Sequence, residues 1–154
     1  MAVGRRVPEW IATGFAEYAR RLPREAGLEL REIKPAARPA SMAPAALRRV
    51  LNEEAARIRS ALPERGFTIV LDERGRTVTT AEFARLLERW RLDGRDVAFV
   101  IGGADGVDEA LKRDADLTLS LSSLTLPHAL CRVLLAEQLY RAVSLLAGHP
   151  YHRE

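Results

Sequence analysis

The chain has 154 residues, of which 47% are hydrophobic, and a formal net charge of +3. That length and composition suit a single domain with a full hydrophobic core. The single cysteine, Cys131, excludes an internal disulfide framework and a cysteine-cluster zinc site, and its apolar surroundings predict a small core residue rather than a nucleophile. The sequence shows no apolar run of the roughly 20 residues that a membrane helix needs and no recognisable signal peptide, so the expected compartment is the cytoplasm.

The basic residues are unusual in type and in distribution. Arginine accounts for 22 of the 24, and residues 1–66 carry 13 basic against 8 acidic groups, whereas residues 67–127 carry 8 against 11. The planar guanidinium of arginine binds phosphates and stacks on bases. The basic excess in the first part of the chain is therefore compatible with an RNA partner. An arginine bias from a GC-rich genome is the alternative explanation.

Hydrophobic periodicity and turn residues divide the chain into alternating helices and strands. In chain order the predicted elements are a helix from Pro8 to Leu22, a strand Leu28–Ile33, a mobile connector marked by Pro35, Pro39 and Pro44, a helix over 45–62, a strand Phe67–Leu71 stopped by Asp72–Arg76, a helix capped by Thr79 or Thr80 and reaching Leu92, a strand Val97–Ile101, a short helix near Val107–Arg113, a strand near Leu117–Leu121, and a long helix from about His128 to Ala147. This alternation predicts an α/β fold with a mainly parallel sheet in three layers.

The last helix is apolar nearly all round its circumference. One face is expected to pack on the sheet, and the opposite face predicts contact with a partner subunit.

A glycine turn, Gly102-Gly103-Ala104-Asp105-Gly106, follows directly after a buried strand. Glycine lets a backbone approach a ligand closely, and open α/β sheets bind ligands at the carboxyl ends of their strands. The turn lacks the glycine spacing of dinucleotide folds and the Gly-Lys-Ser/Thr of a phosphate loop, which disfavours nicotinamide and ATP. An ordinary tight turn uses the same residues and stays an alternative.

The loop Ser122–Pro127 lies between a predicted strand and the last helix. Its exposed backbone groups suit the edge of a purine ring, although a helix-entry loop with hydroxyl caps is equally compatible. His128 follows at the helix start, where the helix dipole favours the neutral imidazole. This residue either orients a substrate, accepts a proton or plays a structural role.

The ending His149–Glu154 places imidazole, phenol and guanidinium groups within six residues. Such groups can stack on a base and grip a phosphate, whereas a disordered tail is the alternative. His149 and His152 make a poor metal pair, so no metal site is expected. Asp105, Asp108 and Glu109 are interpreted as carboxylates at a helix start that complement its dipole.

Six segments, taken together in their order along the chain, resemble the bacterial ribosomal RNA large-subunit methyltransferase H family, which belongs to the SPOUT class. The resemblance is carried by Val7–Tyr18, Leu87–Asp96, Val100–Gly106, Leu119–His128, Glu137–Ala142 and His149–Glu154. It implies one domain over residues 1–154 with a C-terminal trefoil knot. It also implies methyl transfer from S-adenosylmethionine to N3 of a pseudouridine in large-subunit ribosomal RNA, on the assembled ribosome, by a homodimer. A non-catalytic RNA- or ribosome-binding protein of the same fold is the competing hypothesis.

The resemblance also implies roles for individual residues. The cofactor-binding positions are Leu71, Gly103, Ser122, Ser123, Leu124, Thr125, Leu126 and Pro127. The expected catalytic residues are His128, Arg141, His152 and Arg153, and Tyr151 and His149 are expected to contact the substrate RNA.

The beginning of the chain departs from the family pattern. Family members generally have an apolar first strand of several residues before the step Ala2-Val3-Gly4, and about five residues of that strand are missing here. A misassigned start codon is one explanation. If the short form is real, we expect a weakened edge of the sheet and an exposed, unpaired strand neighbour.

Overall fold

A computed structural model of the chain describes residues 1–39, 43–149 and 151. The strands are β1 (Ala2–Val3), β2 (Glu32–Ile33), β3 (Phe67–Thr77), β4 (Val97–Ile101) and β5 (Leu117–Ser120), and the helices are α1 (Glu9–Ala19), α2 (Pro44–Ala61), α3 (Thr80–Asp93), α4 (Glu109–Asp114) and α5 (His128–Leu146), with a 3₁₀ turn at Arg24–Ala26. Of the helices in these ranges, none combines the length and the apolar character needed to cross a membrane.

The five strands form one sheet in the order β2-β1-β4-β3-β5, and every pairing is parallel. Alternate strand residues enter two separate cores. Ile69 and Phe99 pack with α3 and α5 on one face, whereas Val70 and Val100 pack with α2 and α4 on the other. The predicted parallel α/β sheet in three layers is therefore confirmed.

The start and end of α3 follow from its sequence. The Thr79 hydroxyl accepts a hydrogen bond from the Glu82 N–H, and the Glu82 carboxylate accepts one from the Thr79 N–H, which is a capping box. Gly94 ends the helix with a φ of 67°, a left-handed conformation that glycine adopts without steric cost. The structure thus selects Thr79 over Thr80 as the cap.

The long helix α5 packs on the sheet and beside α1. Gly14 allows the close approach of the two helices, because a Cβ there would lie 3.2 Å from the Val133 side chain. Cys131 is half-buried on α5, and burial raises the pKa of its thiol, in agreement with the predicted core residue.

A buried arginine joins α5 to the first two strands. The Arg132 guanidinium, 1% exposed, donates hydrogen bonds to the Glu32 carboxylate at 2.8 Å and to the Gly4 carbonyl oxygen at 2.7 Å. A buried charge is costly unless it is paired, so these two bonds fix the position of α5 relative to β1 and β2.

The missing strand residues do not affect an outer strand, because β1 lies inside the sheet between β2 and β4, but its neighbour β2 pairs with it over only two residues, as the expected unpaired neighbour requires. The Met1 ammonium donates a hydrogen bond to the Phe99 carbonyl oxygen at 2.6 Å. Burial, with a contribution from the charge of Arg132, lowers the pKa of this ammonium to about 6. Met1 also lines a cavity of about 820 Å³ whose other walls include Leu30 and Trp90.

The predicted strand Leu28–Ile33 is observed only as Glu32–Ile33. In the pairing register, Ala2 lies opposite Glu32 and Val3 opposite Ile33, and β1 begins at Ala2. Residues 28–31 therefore have no strand beside them with which to build a ladder, although their alternating pattern suits one.

Candidate functional site

The predicted cofactor-binding residues lie at one edge of the sheet. Leu71 pairs with Ile101 of β4 and with Leu119 of β5, so these three residues lie side by side in three neighbouring strands. The glycine turn follows β4 and the loop Ser122–Pro127 follows β5. Parallel strands end on the same side, and this topology brings Leu71, Gly103 and the loop together.

The glycine turn is closed by a hydrogen bond from the Gly106 N–H to the Gly103 carbonyl oxygen at 3.1 Å. A Cβ on Gly102 would lie 2.4 Å from the Gly106 carbonyl oxygen, and Gly106 itself has a φ of 83°. Asp105 forms an ion pair with Arg38 and does not cap a helix, whereas Asp108 caps α4 through the Ala110 and Leu111 amides, as predicted. The turn therefore needs its glycines for its own geometry, and it presents bare backbone at the sheet edge.

Strand β3 does not stop at Leu71, contrary to the sequence prediction. It continues to Thr77, and both Leu71 and Arg76 lie opposite Leu119, which marks a bulge between them. A Cβ on Gly75 would lie only 2.5 Å from the Leu119 backbone. Glycine at this position lets the extension of β3 press against β5, an approach that any other side chain would prevent.

An ion pair holds the bulge in place. The Asp72 carboxylate accepts from the Lys112 ammonium of α4 at 2.5 Å and from the Arg74 N–H at 2.9 Å. Burial alone would raise the pKa of Asp72, but these two donors outweigh it and the pKa is lowered. The residue directly after Leu71 is thereby fixed to the helix that follows the glycine turn.

Internal hydrogen bonds shape the loop Ser122–Pro127. The Ser120 hydroxyl donates to the Ser122 carbonyl oxygen at 2.7 Å, and the Ser122 hydroxyl accepts from the Leu124 N–H at 2.9 Å. The Thr125 hydroxyl donates to the Glu73 carboxylate at 3.1 Å and so ties the loop to the extension of β3. The Leu124 side chain is 73% exposed, a large apolar surface beside the loop backbone.

His128 is the first residue of α5 and is exposed. Pro127 occupies the N-cap position and supplies no side-chain cap, so the first amides of the helix receive no side-chain hydrogen bond from it. This placement agrees with the expectation of a histidine at a helix start beside the loop. Its role in proton transfer stays a prediction.

A second group of site residues lies near the other end of α5. The Glu137 carboxylate accepts a hydrogen bond from the Arg141 Nε–H at 2.9 Å and one from the Tyr151 hydroxyl at 3.5 Å, and a second guanidinium nitrogen of Arg141 forms an ion pair with it at 2.7 Å. The Arg141 guanidinium lies 5.2 Å from the centre of the Tyr151 ring. The bond to Glu137 raises the pKa of Arg141, and burial together with the neighbouring Tyr18 hydroxyl raises the pKa of Tyr151 to about 12.

The sequence did not single out all members of this second group. Tyr140 packs on Tyr151 with ring centres 4.7 Å apart, and Arg21 lies over the rings of Tyr18 and Tyr140. Glu137 was detectable as an acidic residue four positions before Arg141, the spacing of a helical ion pair. The contacts to the tyrosines depend on how α1 and the chain after α5 pack, which no local pattern shows.

The two groups lie far apart within the chain. His128 and Arg141 are thirteen residues apart on one helix, which corresponds to about 20 Å along its axis. His149 is exposed, and its Nδ1 accepts a hydrogen bond from the Tyr151 N–H at 3.3 Å. The other two predicted catalytic residues, His152 and Arg153, lie outside the described residues. Within the described ranges, no group of three or more His, Cys, Asp or Glu residues is placed to hold a metal ion.

Comparison with known proteins places the chain in a family. The sequence profile described as "Predicted SPOUT methyltransferase" matches residues 1–152. The chain belongs to the SPOUT methyltransferase family. This finding confirms the resemblance drawn from the sequence and agrees with the parallel α/β fold.

Individual relatives are similar over nearly their whole length. A protein of Nitrosospira multiformis is 57% identical over 152 residues, which cover 99% of this chain and 96% of the relative. Proteins of Burkholderia thailandensis and Paraburkholderia xenovorans are 56% and 57% identical over 153 residues, with the same shares covered. Each of the three carries the name "Ribosomal RNA large subunit methyltransferase H".

Proposed function

We propose that this SPOUT methyltransferase transfers the methyl group of S-adenosylmethionine to N3 of a pseudouridine in large-subunit ribosomal RNA, on the assembled ribosome. One observation carries the proposal: Leu71, the glycine turn and the loop Ser122–Pro127 meet at one sheet edge in a chain 57% identical to a ribosomal RNA methyltransferase. S-adenosylmethionine supplies an already activated methyl group, so the enzyme's main task is to align donor and acceptor.

The loops at the sheet edge fit the cofactor. A Cβ on Gly106 would meet no atom within 4 Å, so the turn leaves open space beside its backbone, and the exposed Leu124 together with the half-buried Leu126 offers apolar surface for the faces of an adenine ring. The backbone of Ser122–Pro127 would bind the polar edge of that ring. Gly103 and Leu71 would form the opposite wall of the pocket.

The chain after β3 is proposed to form a trefoil knot that contains the cofactor loops. Two contacts support this topology. Gly75 presses against Leu119, and the Thr125 hydroxyl reaches Glu73, so the loop after β5 and the extension of β3 are held together. Such knots are rare among protein folds. A knotted backbone would keep the loops closely packed without a disulfide or a metal.

A homodimer would unite the two groups of site residues. In one subunit about 20 Å of helix separates His128 from Arg141, which is too far for both to reach one nucleotide. We propose that the end of α5 and the residues after it contact the cofactor loops of a second subunit. Exposed apolar side chains on α1 and α5, Trp10 and Leu146, are consistent with such a contact. Sedimentation equilibrium of the purified protein should give twice the chain mass of 17.1 kDa, and a monomer at micromolar concentration would contradict the dimer.

The chemistry requires removal of the imide proton from N3 of the pseudouridine. A neutral His128, or His152 from the partner's tail, is suited to accept that proton. Arg141 or Arg153 would stabilise the negative charge that develops on the base, or bind a phosphate. Tyr151 and His149 would stack on or contact the RNA.

The direct test uses ribosomes from a bacterial strain that lacks this methylation. Incubation with the purified protein and S-adenosylmethionine should add one methyl group to one pseudouridine of the large-subunit RNA, detected by mass spectrometry of RNA fragments. Ribosomes from the parent strain, which already carry this methyl group, are the control and should take up none. An unchanged RNA mass would contradict the proposal.

Calorimetry with the cofactor distinguishes the competing hypothesis of a non-catalytic RNA-binding protein. The proposed enzyme should bind S-adenosylmethionine in the absence of RNA. If no heat of binding is seen at millimolar cofactor, the non-catalytic hypothesis is favoured.

A further inference from the structure

The segments that follow β1 and β2 leave the sheet side by side, next to the glycine turn. Val3 pairs with Ile33, and the Gly4 N–H donates to the Ile33 carbonyl oxygen at 2.9 Å. A Cβ on Gly103 would lie 3.3 Å from the Val3 side chain, so the glycine turn adjoins the end of β1. Arg5 and Arg6 come directly after this point on one strand.

These two segments contain only positive charges. Residues 4–8 read Gly-Arg-Arg-Val-Pro and residues 34–39 read Lys-Pro-Ala-Ala-Arg-Pro, with no carboxylate in either. We call their four cations, Arg5, Arg6, Lys34 and Arg38, the basic rim. Arg5, Arg6 and Lys34 are exposed, and the structure over 1–39, 43–149 and 151 gives none of the three an ion-pair partner.

Of the four carboxylates near the basic rim, two form ion pairs in the described part of the chain. Glu32 is paired with Arg132, and Asp105 is paired with Arg38. Glu54 is 5% exposed and accepts the Ala36 N–H at 3.0 Å, and Glu9 lies in the first turn of α1, where its charge complements the helix dipole. The three remaining cations of the basic rim outnumber the two unpaired carboxylates, one of which is buried, so the surface is net positive.

The opposite edge of the sheet differs in charge. Its cations alternate with carboxylates: Arg31 pairs with Glu29, Arg95 pairs with Asp93, and Arg65 directly follows Glu64. A surface of mixed sign attracts a polyanion weakly, whereas a surface of one sign attracts it strongly. The contrast assigns polyanion binding to the edge that also carries the cofactor loops.

The first part of the proline-containing connector is anchored, although the sequence predicted it to be mobile. The Arg57 guanidinium donates to the Lys34 carbonyl oxygen at 2.6 Å, Glu54 accepts the Ala36 N–H, and Arg38 is bound to Asp105 of the glycine turn. Cations on an anchored backbone lose less conformational freedom when they bind a ligand.

We propose that the basic rim is a docking surface for the phosphate backbone of RNA, and that it places the target strand across the glycine turn. The inference rests on the proposed function and deepens it, because it names the surface that binds the RNA beside the pocket. Phosphate contacts fix the register of a nucleic acid without reading its bases, which suits residues that lie beside the reacting nucleotide.

The test compares two triple variants. The rim variant carries Arg5→Ala, Arg6→Ala and Lys34→Ala. The control variant removes three exposed arginines at or near the opposite edge, Arg24→Ala, Arg65→Ala and Arg91→Ala, so that both variants lose the same net charge. Both proteins should bind S-adenosylmethionine like the parent chain in calorimetry without RNA, which verifies that the pocket is folded.

Affinity for purified ribosomes is then measured by co-sedimentation over a series of potassium chloride concentrations. The rim variant should bind roughly tenfold or more weakly at about 0.1 M salt, and the slope of log affinity against log salt should fall by about 2 to 3, since each phosphate contact contributes about 0.7 to 0.9. The control variant should change the slope by less than about 1. Equal slopes for the two variants would overturn the docking surface.

Ultraviolet cross-linking of the bound parent chain identifies the class of partner. Peptides that contain residues 4–9 or 34–39 should carry nucleotide adducts. Adducts elsewhere in the chain with none on these peptides would contradict RNA docking at the rim and would favour contact with a ribosomal protein.

The outcomes separate this inference from the proposed function. If the parent chain methylates ribosomes but the rim variant keeps the parental salt dependence, only the docking surface fails. If the rim variant loses affinity but the parent chain transfers no methyl group, the docking surface stands and the proposed reaction fails.

Discussion

The two halves of the sheet are built in different ways. Strands β3 and β4 pair along five consecutive positions, and β3 continues past its bulge to follow β5. Strands β1 and β2 pair over only two positions, and their place is secured by the Met1 ammonium and by Arg132. The half with many backbone bonds carries the proposed cofactor loops, whereas the half with few depends on individual charged groups. Packing between strands therefore limits substitutions in one half, and charge limits them in the other.

The largest effect on stability is expected from Gly75→Ala, a substitution in the well-paired half of the sheet. The new Cβ would lie 2.5 Å from the Leu119 backbone, so strand β5 or the bulge must move. We expect a loss of about 3 kcal/mol in the free energy of unfolding, measured by urea denaturation. Gly27→Ala is the matched control, because its Cβ would meet the Arg24 carbonyl oxygen at 3.4 Å, an ordinary contact. Equal losses in the two variants would show that Gly75 is no special constraint.

Arg132→Ala tests the half that depends on charge. The substitution leaves Glu32 and the Gly4 carbonyl oxygen without their donor, and we expect a loss of about 2 to 3 kcal/mol, reduced from the value for a fully buried pair because Glu32 is partly exposed. Amide hydrogen exchange should increase at β1 and β2 more than at β3. A uniform increase over the whole sheet would contradict the division into two halves.

The Met1 ammonium predicts a dependence of stability on pH. Its pKa is about 6 in the folded chain and 8.0 in the reference state, so the unfolded chain binds more protons between these values and stability rises as the pH increases from 6 to 8. The gain should be about 2 kcal/mol. Urea denaturation of protein whose retained Met1 is verified by intact mass measures it.

A variant with Gly-Ser placed before Met1 is the control for that experiment, because it moves the ammonium away from Phe99. The histidines titrate in both proteins, so only the difference between the two pH profiles reports on Met1. Identical profiles would exclude the buried ammonium as the cause.

The smallest effect is expected from Glu137→Gln, which sharpens the contrast between the two ends of α5. The side chain keeps its shape but loses the charge that holds Arg141 and Tyr151. Because Arg141 is partly exposed, stability should change by less than about 1 kcal/mol. Methylation of ribosomes should fall about tenfold in single-turnover measurements if this group contacts the RNA. An unchanged rate would remove Glu137 from the proposed site.

The sequence predicted those parts of the fold that local patterns specify. The apolar run Val97–Ile101, the capping residue Thr79 and the long helix from His128 all lie where periodicity and capping rules place them. The glycine turn and the loop Ser122–Pro127 were predicted to follow strands and do so, whereas their role in cofactor binding came from the family resemblance and stays a prediction.

The remaining features depend on contacts between distant segments. The extension of β3 exists because Gly75 meets Leu119, more than forty residues away, and no pattern within Asp72–Arg76 reports that contact. The position of β1 inside the sheet follows from its pairing with Ile101 and Glu32. The cluster of Glu137, Arg141 and Tyr151 combines a helix with the residues beyond its end, so its tyrosine could not be assigned from spacing.

The half-buried Cys131 gives this enzyme a built-in reporter. It is the chain's single thiol, it lies one turn from His128 on α5, and its raised pKa makes it slow to react while the helix stays packed. The rate of labelling by a thiol reagent would therefore record how often the first turns of α5 open. Binding of the cofactor to the adjoining loop should lower this labelling rate. Ligand occupancy could then be followed in the unmodified chain by mass spectrometry, without introducing a dye or a substitution.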